Sequence, residues 1–152
     1  MNTEAGKKGR QWQILLDKLS LKLDEVKSTL TAIYVREKDL SEKENQILEL
    51  KKHYSENLHR LEQSEHAMDE AMRLRKFMIH LDKTLSAIHI ELKMNLKQKA
   101  LVKEEFTSLE QERLKFETLK TRAGQETKRL EDHKEMLERD LSNSLRHSKS
   151  RR

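Results

Sequence analysis

The chain has 152 residues, of which 39% are charged and 34% hydrophobic, with six aromatics, no proline, no cysteine and three glycines. Without cysteine there is no disulfide framework and no thiolate-ligated metal, and no apolar run approaches the roughly 18 residues of a membrane span. Disorder is disfavoured too: Leu, Ile, Val and Phe make up about 24% of the chain, above the roughly 20% below which chains usually stay unfolded, and Ala, Glu, Lys, Leu and Arg reach about 55%, the bias of coiled coils and long helices.

The start, MNTEAGKKGRQ, has no apolar core after its charges, so no secretory leader is expected there. Residues 1–10 carry +2 and read as a flexible basic tail; residues 146–152 carry +4 and read as a second one. The stretch 11–145 sums to −1, both signs interleaved, and reads as a coiled-coil rod. Basic tips of this kind are candidates for contact with an anionic polymer, such as a microtubule surface or nucleic acid, although charge alone is a nonspecific signal. The tail LSNSLRHSKSRR also carries serines among basic residues, a weak phosphorylation pattern.

From Trp12 a seven-residue step meets Trp12, Leu19, Val26, Ile33, Leu40, Ile47, Tyr54, Leu61 and Met68, all apolar. Against a 34% apolar background, nine in nine is a chance on the order of 10⁻⁴ in one register. These are d positions of a heptad; the a positions are Leu16, Leu23, Leu30, Glu37, Glu44, Lys51, Leu58, Glu65 and Met72. A heptad sustained this long describes a helix that hides one seam against another helix. The same residues account for the amphipathic segment Ile14, Leu15, Leu16, Leu19, Leu21 and Leu23, which would otherwise suggest a membrane-surface helix.

Beyond residue 70 the register moves back by one. The a positions become Ala71, Met78, Leu85, Leu92, Lys99, Phe106, Arg113, Lys120, Thr127, Lys134 and Leu141; the d positions become Leu74, Leu81, Ile88, Asn95, Val102, Leu109, Phe116, Ala123, Leu130, Leu137 and Ser144. The six-residue step from Met72 to Met78 predicts overwinding, a bend or a wider core near residues 68–78, where Phe77 joins the apolar cluster. A second stripe, Ala87, Ile90, Met94 and Leu101, runs beside Leu85, Ile88, Leu92 and Val102, and marks residues 77–106 as the place for contact with more than one neighbour.

No strand pattern competes. Gly6 and Gly9 fall in the N-terminal tail, and Gly124 is the lone internal glycine, at a cost of about 1 kcal/mol that does not end a supported helix. No Asn-Gly, Asp-Gly or Pro-Gly pair marks a hairpin. The expected fold is therefore all-α: one long, nearly continuous helix over about residues 10–145, roughly 200 Å in length at 1.5 Å per residue, forming an extended coiled coil with a register shift near 68–78.

Pairing preferences follow from the polar seam positions. In a parallel homodimer Glu37, Glu44, Lys51 and Glu65 would each face their own copy, and Lys22 would meet Lys27. The first register has mostly acidic a positions and the second has Lys99, Arg113, Lys120 and Lys134. That suits an antiparallel pairing centred near residues 77–79, or a different chain of matching charge. A hetero-oligomer with other coiled-coil proteins is favoured over a parallel homodimer, because Leu15, Tyr34, Leu48 and Leu50 widen the apolar face. The expected partner seam is Trp12, Leu16, Leu19, Leu23, Val26, Leu30, Ile33, Leu40, Ile47, Tyr54, Leu58, Leu61, Met68, Phe77, Met78, Leu81, Leu85, Ile88, Leu92, Val102, Phe106, Leu109 and Phe116.

Chemistry is sparse. Glu56-x-x-His59 has the spacing of di-iron bundle ligands, and His66 lies seven residues on, but such sites need two motifs and two further glutamates, and only one motif is present. Solvated histidines are the expectation, with no metal, no cofactor and no small-molecule substrate. A rod has no pocket converging from several directions, and there is no phosphate-binding glycine loop, nucleophile elbow or H-E-x-x-H, so no catalytic residues are assigned and no enzyme is expected. The expected role is a non-enzymatic structural or scaffolding subunit that bridges other proteins in a large assembly, cytoplasmic and cytoskeletal (microtubule, ciliary or centrosomal). The alternatives are a tether subunit of a helical hetero-complex in vesicle trafficking and a chromosome-associated coiled coil whose basic tails touch nucleic acid.

Overall fold

The computed structural model describes residues 4–65 and 67–150. They form two helices: α1, Glu4–Glu62 (59 residues), and α2, Met68–Ser150 (83 residues). The described residues contain no strand. Helices of this length follow from the near-absence of breakers and from the heptad row, whose burial holds a helix together better than propensity does. Mid-helix threonines are accommodated because Thr31, Thr84, Thr118, Thr121 and Thr127 each donate to the carbonyl four residues back, at 2.9–3.0 Å.

The single rod expected over 11–145 is corrected to two helices separated at residues 63–67. The physical reason is a polar gap: between the seam residues Leu61 and Met68 the chain reads Glu-Gln-Ser-Glu-His-Ala, which offers the seam nothing large and apolar to bury. α1 closes with tight bonds from Gln63 N to the Arg60 carbonyl (3.3 Å) and Ser64 N to the Leu61 carbonyl (3.1 Å). His59 and Arg60 stand in its last turn, matching the negative end of the helix dipole. α2 opens with Ala71 N donating to the Ala67 carbonyl at 2.9 Å, and Asp69 and Glu70 occupy its positive first turn. Among the described residues none has a positive φ, and the segment 62–67 contains no glycine. The hairpin signals sought in the sequence are consequently absent although a turn is present. The register shift near 68–78 coincides with the change of helix: Met68 and Met72, the last first-register positions, lie in α2 and are exposed, whereas Ala71 of the second register is buried.

The chain divides into two compact units. The turn unit, Val26–Glu105, contains the end of α1, residues 63–67 and the start of α2. Here the two helices run antiparallel, as Arg36 meets Glu91, Lys51 meets Asp82, and Glu62 meets Arg75. The terminal unit joins Met1–Glu25 to Phe106–Arg152, and its helices are also antiparallel: Gly9 and Arg10 share a groove with Thr127 and Lys128, whereas Asp17 and Ser20 share one with Arg113 and Glu117. α1 begins within the expected 1–10 tail and α2 runs into the expected 146–152 tail; residues 1–3, Arg151 and Arg152 lie outside the described residues.

Candidate helical interface

In the turn unit the seam lies between the two helices of the one chain. Val26, Ile33 and Leu40 of α1 are buried, as are Ala71, Leu81 and Ile88 of α2, and Leu40 is only 2% exposed. Leu30, Ile47, Tyr54, Leu58 and Leu61 are half-buried, as are Met78, Leu85, Leu92 and Val102. Two expected seam residues depart from this pattern. Met68, in the first turn of α2, is 81% exposed. Phe77 sits one residue before the a position Met78 and lies partly exposed, its ring edge-on to Tyr54 at 5.0 Å between centroids.

The polar seam positions resolve into cross-helix pairs. Lys99 Nζ donates to Glu37 Oε2 at 3.0 Å and lies 4.6 Å from the centre of the Tyr34 ring. Lys51 meets Asp82 at 2.5 Å, and His89 lies 3.5 Å from Glu44. Of the charged a positions that made a parallel homodimer costly, Glu37 and Lys51 are thus matched by opposite charge within the unit, and Glu44 faces an imidazole. Asn95, at a d position, is buried, and its side-chain amide donates to the Ile33 carbonyl at 3.2 Å. A buried amide in a leucine seam fixes the level at which two helices meet, because any other level leaves it without a partner.

In the terminal unit Leu19 and Leu23 are buried, and Trp12 and Leu16 half-buried, opposite half-buried Phe106, Leu109 and Phe116 and buried Ala123. Trp12 stacks on Phe116 at 5.6 Å and an interplanar angle of 25°. Lys120 donates to Gln13 across the helices. Arg113 is held on its own helix by Glu110 and Glu117, each at 2.8 Å. The hydrogen bonds that Arg113 donates to Glu110, the charge of Glu110 and that of Glu117 raise the guanidinium pKa further, so its charge is fixed. Ala71, Asn95 and Ala123 stand at heptad positions yet are small or polar; their spacing, not their apolarity, is the signal that reveals them.

The structure also leaves large apolar residues uncovered. On α2 in the turn unit, Ile90, Met94 and Leu101 are 60%, 65% and 66% exposed. In the terminal unit every residue over 128–150 is exposed, including Leu130, Leu137, Leu141 and Leu145. Of the histidine constellation, Glu56 and His59 are exposed on α1, and His66 lies outside the described residues. Among the described residues no group of three or more His, Asp or Glu is placed to hold a metal ion. Nor is any helix among them long and apolar enough to cross a membrane. In comparisons with protein-family models, curated proteins and solved structures, nothing matches this chain.

Proposed function

We propose that this chain is a non-enzymatic structural subunit that bridges other helical proteins within a large assembly. The observation that carries the reading is the leucine row of the terminal unit. Leu130, Leu137, Leu141 and Leu145 recur at steps of seven and four, which places them on one side of α2, and each is more than half exposed. Burying a leucine fully stabilises by about 1.5–3 kcal/mol, so a helix that laid its own apolar row here would be held firmly. Leu130, Leu137 and Leu141 are d, d and a positions of the second register, so this row prolongs the α2 seam over a stretch that α1 leaves uncovered, a surface suited to other proteins.

In its narrowest form the reading places the assembly in the cytoskeleton. Long heptad-bearing helices and basic end segments, suited to an acidic polymer, support that form by association. The test is crosslinking mass spectrometry in native cell extract, comparing the chain with a Leu137→Glu, Leu141→Glu variant. Crosslinks from Lys128 and Lys134 to helical segments of other proteins, lost in the variant, are the expected result. Recovery of self-crosslinks alone refutes the bridging role. Salt-sensitive pelleting with microtubules separately tests the cytoskeletal form, and no pelleting at low salt removes it.

A further inference from the structure

The charge of the turn unit is divided unevenly between the inner and outer sides of α2. Over residues 71–102 the only carboxylates are Asp82 and Glu91. Both are already held by α1, Asp82 by Lys51 at 2.5 Å and Glu91 by Arg36 at 2.6 Å. Two of the cations in the same stretch are likewise paired with α1, Arg75 with Glu62 and Lys99 with Glu37. The other five, Arg73, Lys76, Lys83, Lys93 and Lys97, are exposed and form no ion pair among the described residues. Charge that interleaves along the sequence is therefore sorted in space, with the acids turned to α1 and the unpaired cations turned outward.

Among these cations runs the exposed row Ala87, Ile90, Met94, Lys97 and Leu101, alternating steps of three and four. Two residues correspond to about 200° around a helix, so Ile90 and Met94 point away from α1 where Ile88 and Leu92 point toward it. The row has the spacing of a second heptad seam on a helix whose first seam is filled.

We propose that this outer row of α2 docks an acidic amphipathic helix from a partner protein. A three-four apolar row is the surface that a facing helix fills, and cations beside it call for carboxylates at the flanking positions of that helix. A nucleic-acid strand fits less well, since it would set phosphates against Ile90, Met94 and Leu101. An anionic lipid surface also fits less well, because Lys97 interrupts the row itself instead of flanking it. The surface is separate from the leucine row over 130–145, and the two readings stand or fall independently.

The probe is a fluorescent four-heptad peptide with leucine at its a and d positions and glutamate at e and g, titrated with the full chain by fluorescence anisotropy. The expected result is saturable binding that weakens about tenfold or more in both Ile90→Ser, Met94→Ser and Lys93→Glu, Lys97→Glu variants. All four positions are exposed, so helical circular dichroism and melting of the variants should match the parent; a Lys83→Glu variant gives a second, single-site readout. A matched peptide with lysine in place of glutamate should not bind. The proposal is overturned if the acidic peptide fails to bind or binds the Ile90→Ser, Met94→Ser variant equally well. It is also overturned if single-stranded DNA or phosphatidylserine vesicles bind the parent more tightly than the peptide and lose that binding in the Lys93→Glu, Lys97→Glu variant.

Discussion

Replacing Leu40 with alanine tests whether the seam closes within one chain. Leu40 is 2% exposed and lines the inter-helix groove with Ile47 and Ile88. Core leucine-to-alanine substitutions cost about 2–5 kcal/mol, and the cost grows with the cavity that remains. A seam between two helices has solvent close on both sides, so neighbouring side chains can slump into the space. The low end is then expected, about 2.5 kcal/mol. That corresponds to about a 60-fold change in the unfolding equilibrium. The midpoint of thermal unfolding should fall by about 5–10 °C for a chain of this size. The assay is helical circular dichroism against temperature and urea, with Leu50→Ala, at a 41% exposed position, as the control. The control should stay within about 0.5 kcal/mol of the parent. An intrachain seam also requires that the midpoint be the same at widely separated protein concentrations. A loss below about 0.5 kcal/mol at Leu40, or a parent midpoint that rises with concentration, refutes the packing described here.

Asn95→Leu should raise stability by about 1 kcal/mol, since it exchanges a desolvated amide for apolar contact, while loosening the level at which the helices meet. Melting together with sedimentation checks both effects, and a clear loss of stability refutes the first. Gly124→Ala should stabilise by about 1 kcal/mol, because the position is helical and nothing lies within 4 Å of the added methyl; an unchanged or lowered midpoint contradicts it. Phe116→Ala removes the ring stacked on Trp12, the only tryptophan, so its emission should shift to the red as water reaches the indole. Unaltered emission would show that the stack does not form.

How far the fold is legible in the sequence depends on the kind of signal. The row from Trp12 to Leu61 is readable because burial every seventh residue leaves a repeating mark, and Leu19, Val26, Ile33 and Leu40 are indeed the buried members. The turn is not readable by the usual cues, because residues 63–67 reverse the chain without glycine or proline; only the polar gap before Met68 betrays it. The charges carry half of the answer. Acidic a positions such as Glu37 and basic ones such as Lys99 imply antiparallel pairing, yet the same pattern suits a separate chain. What decides between them is the reach of the backbone at 63–67, which periodicity does not encode. The outer row around Ile90 is visible as a stripe, but its sorting from the acids appears only once Asp82 and Glu91 are seen bound to α1.

The ladder of cross-helix bonds in the turn unit has a kinetic consequence. Glu62 and Arg75 are 13 residues apart along the chain, whereas Glu37 and Lys99 are 62 apart. Closing the longer loop directly costs about 1.4 kcal/mol more in chain entropy than closing the shorter. Assembly of this unit is therefore cheapest as a zipper that starts beside residues 63–67, each rung shortening the free chain left for the next. Disturbing the first rungs should slow folding, whereas disturbing the rungs at Asn95 and Lys99 should chiefly hasten opening.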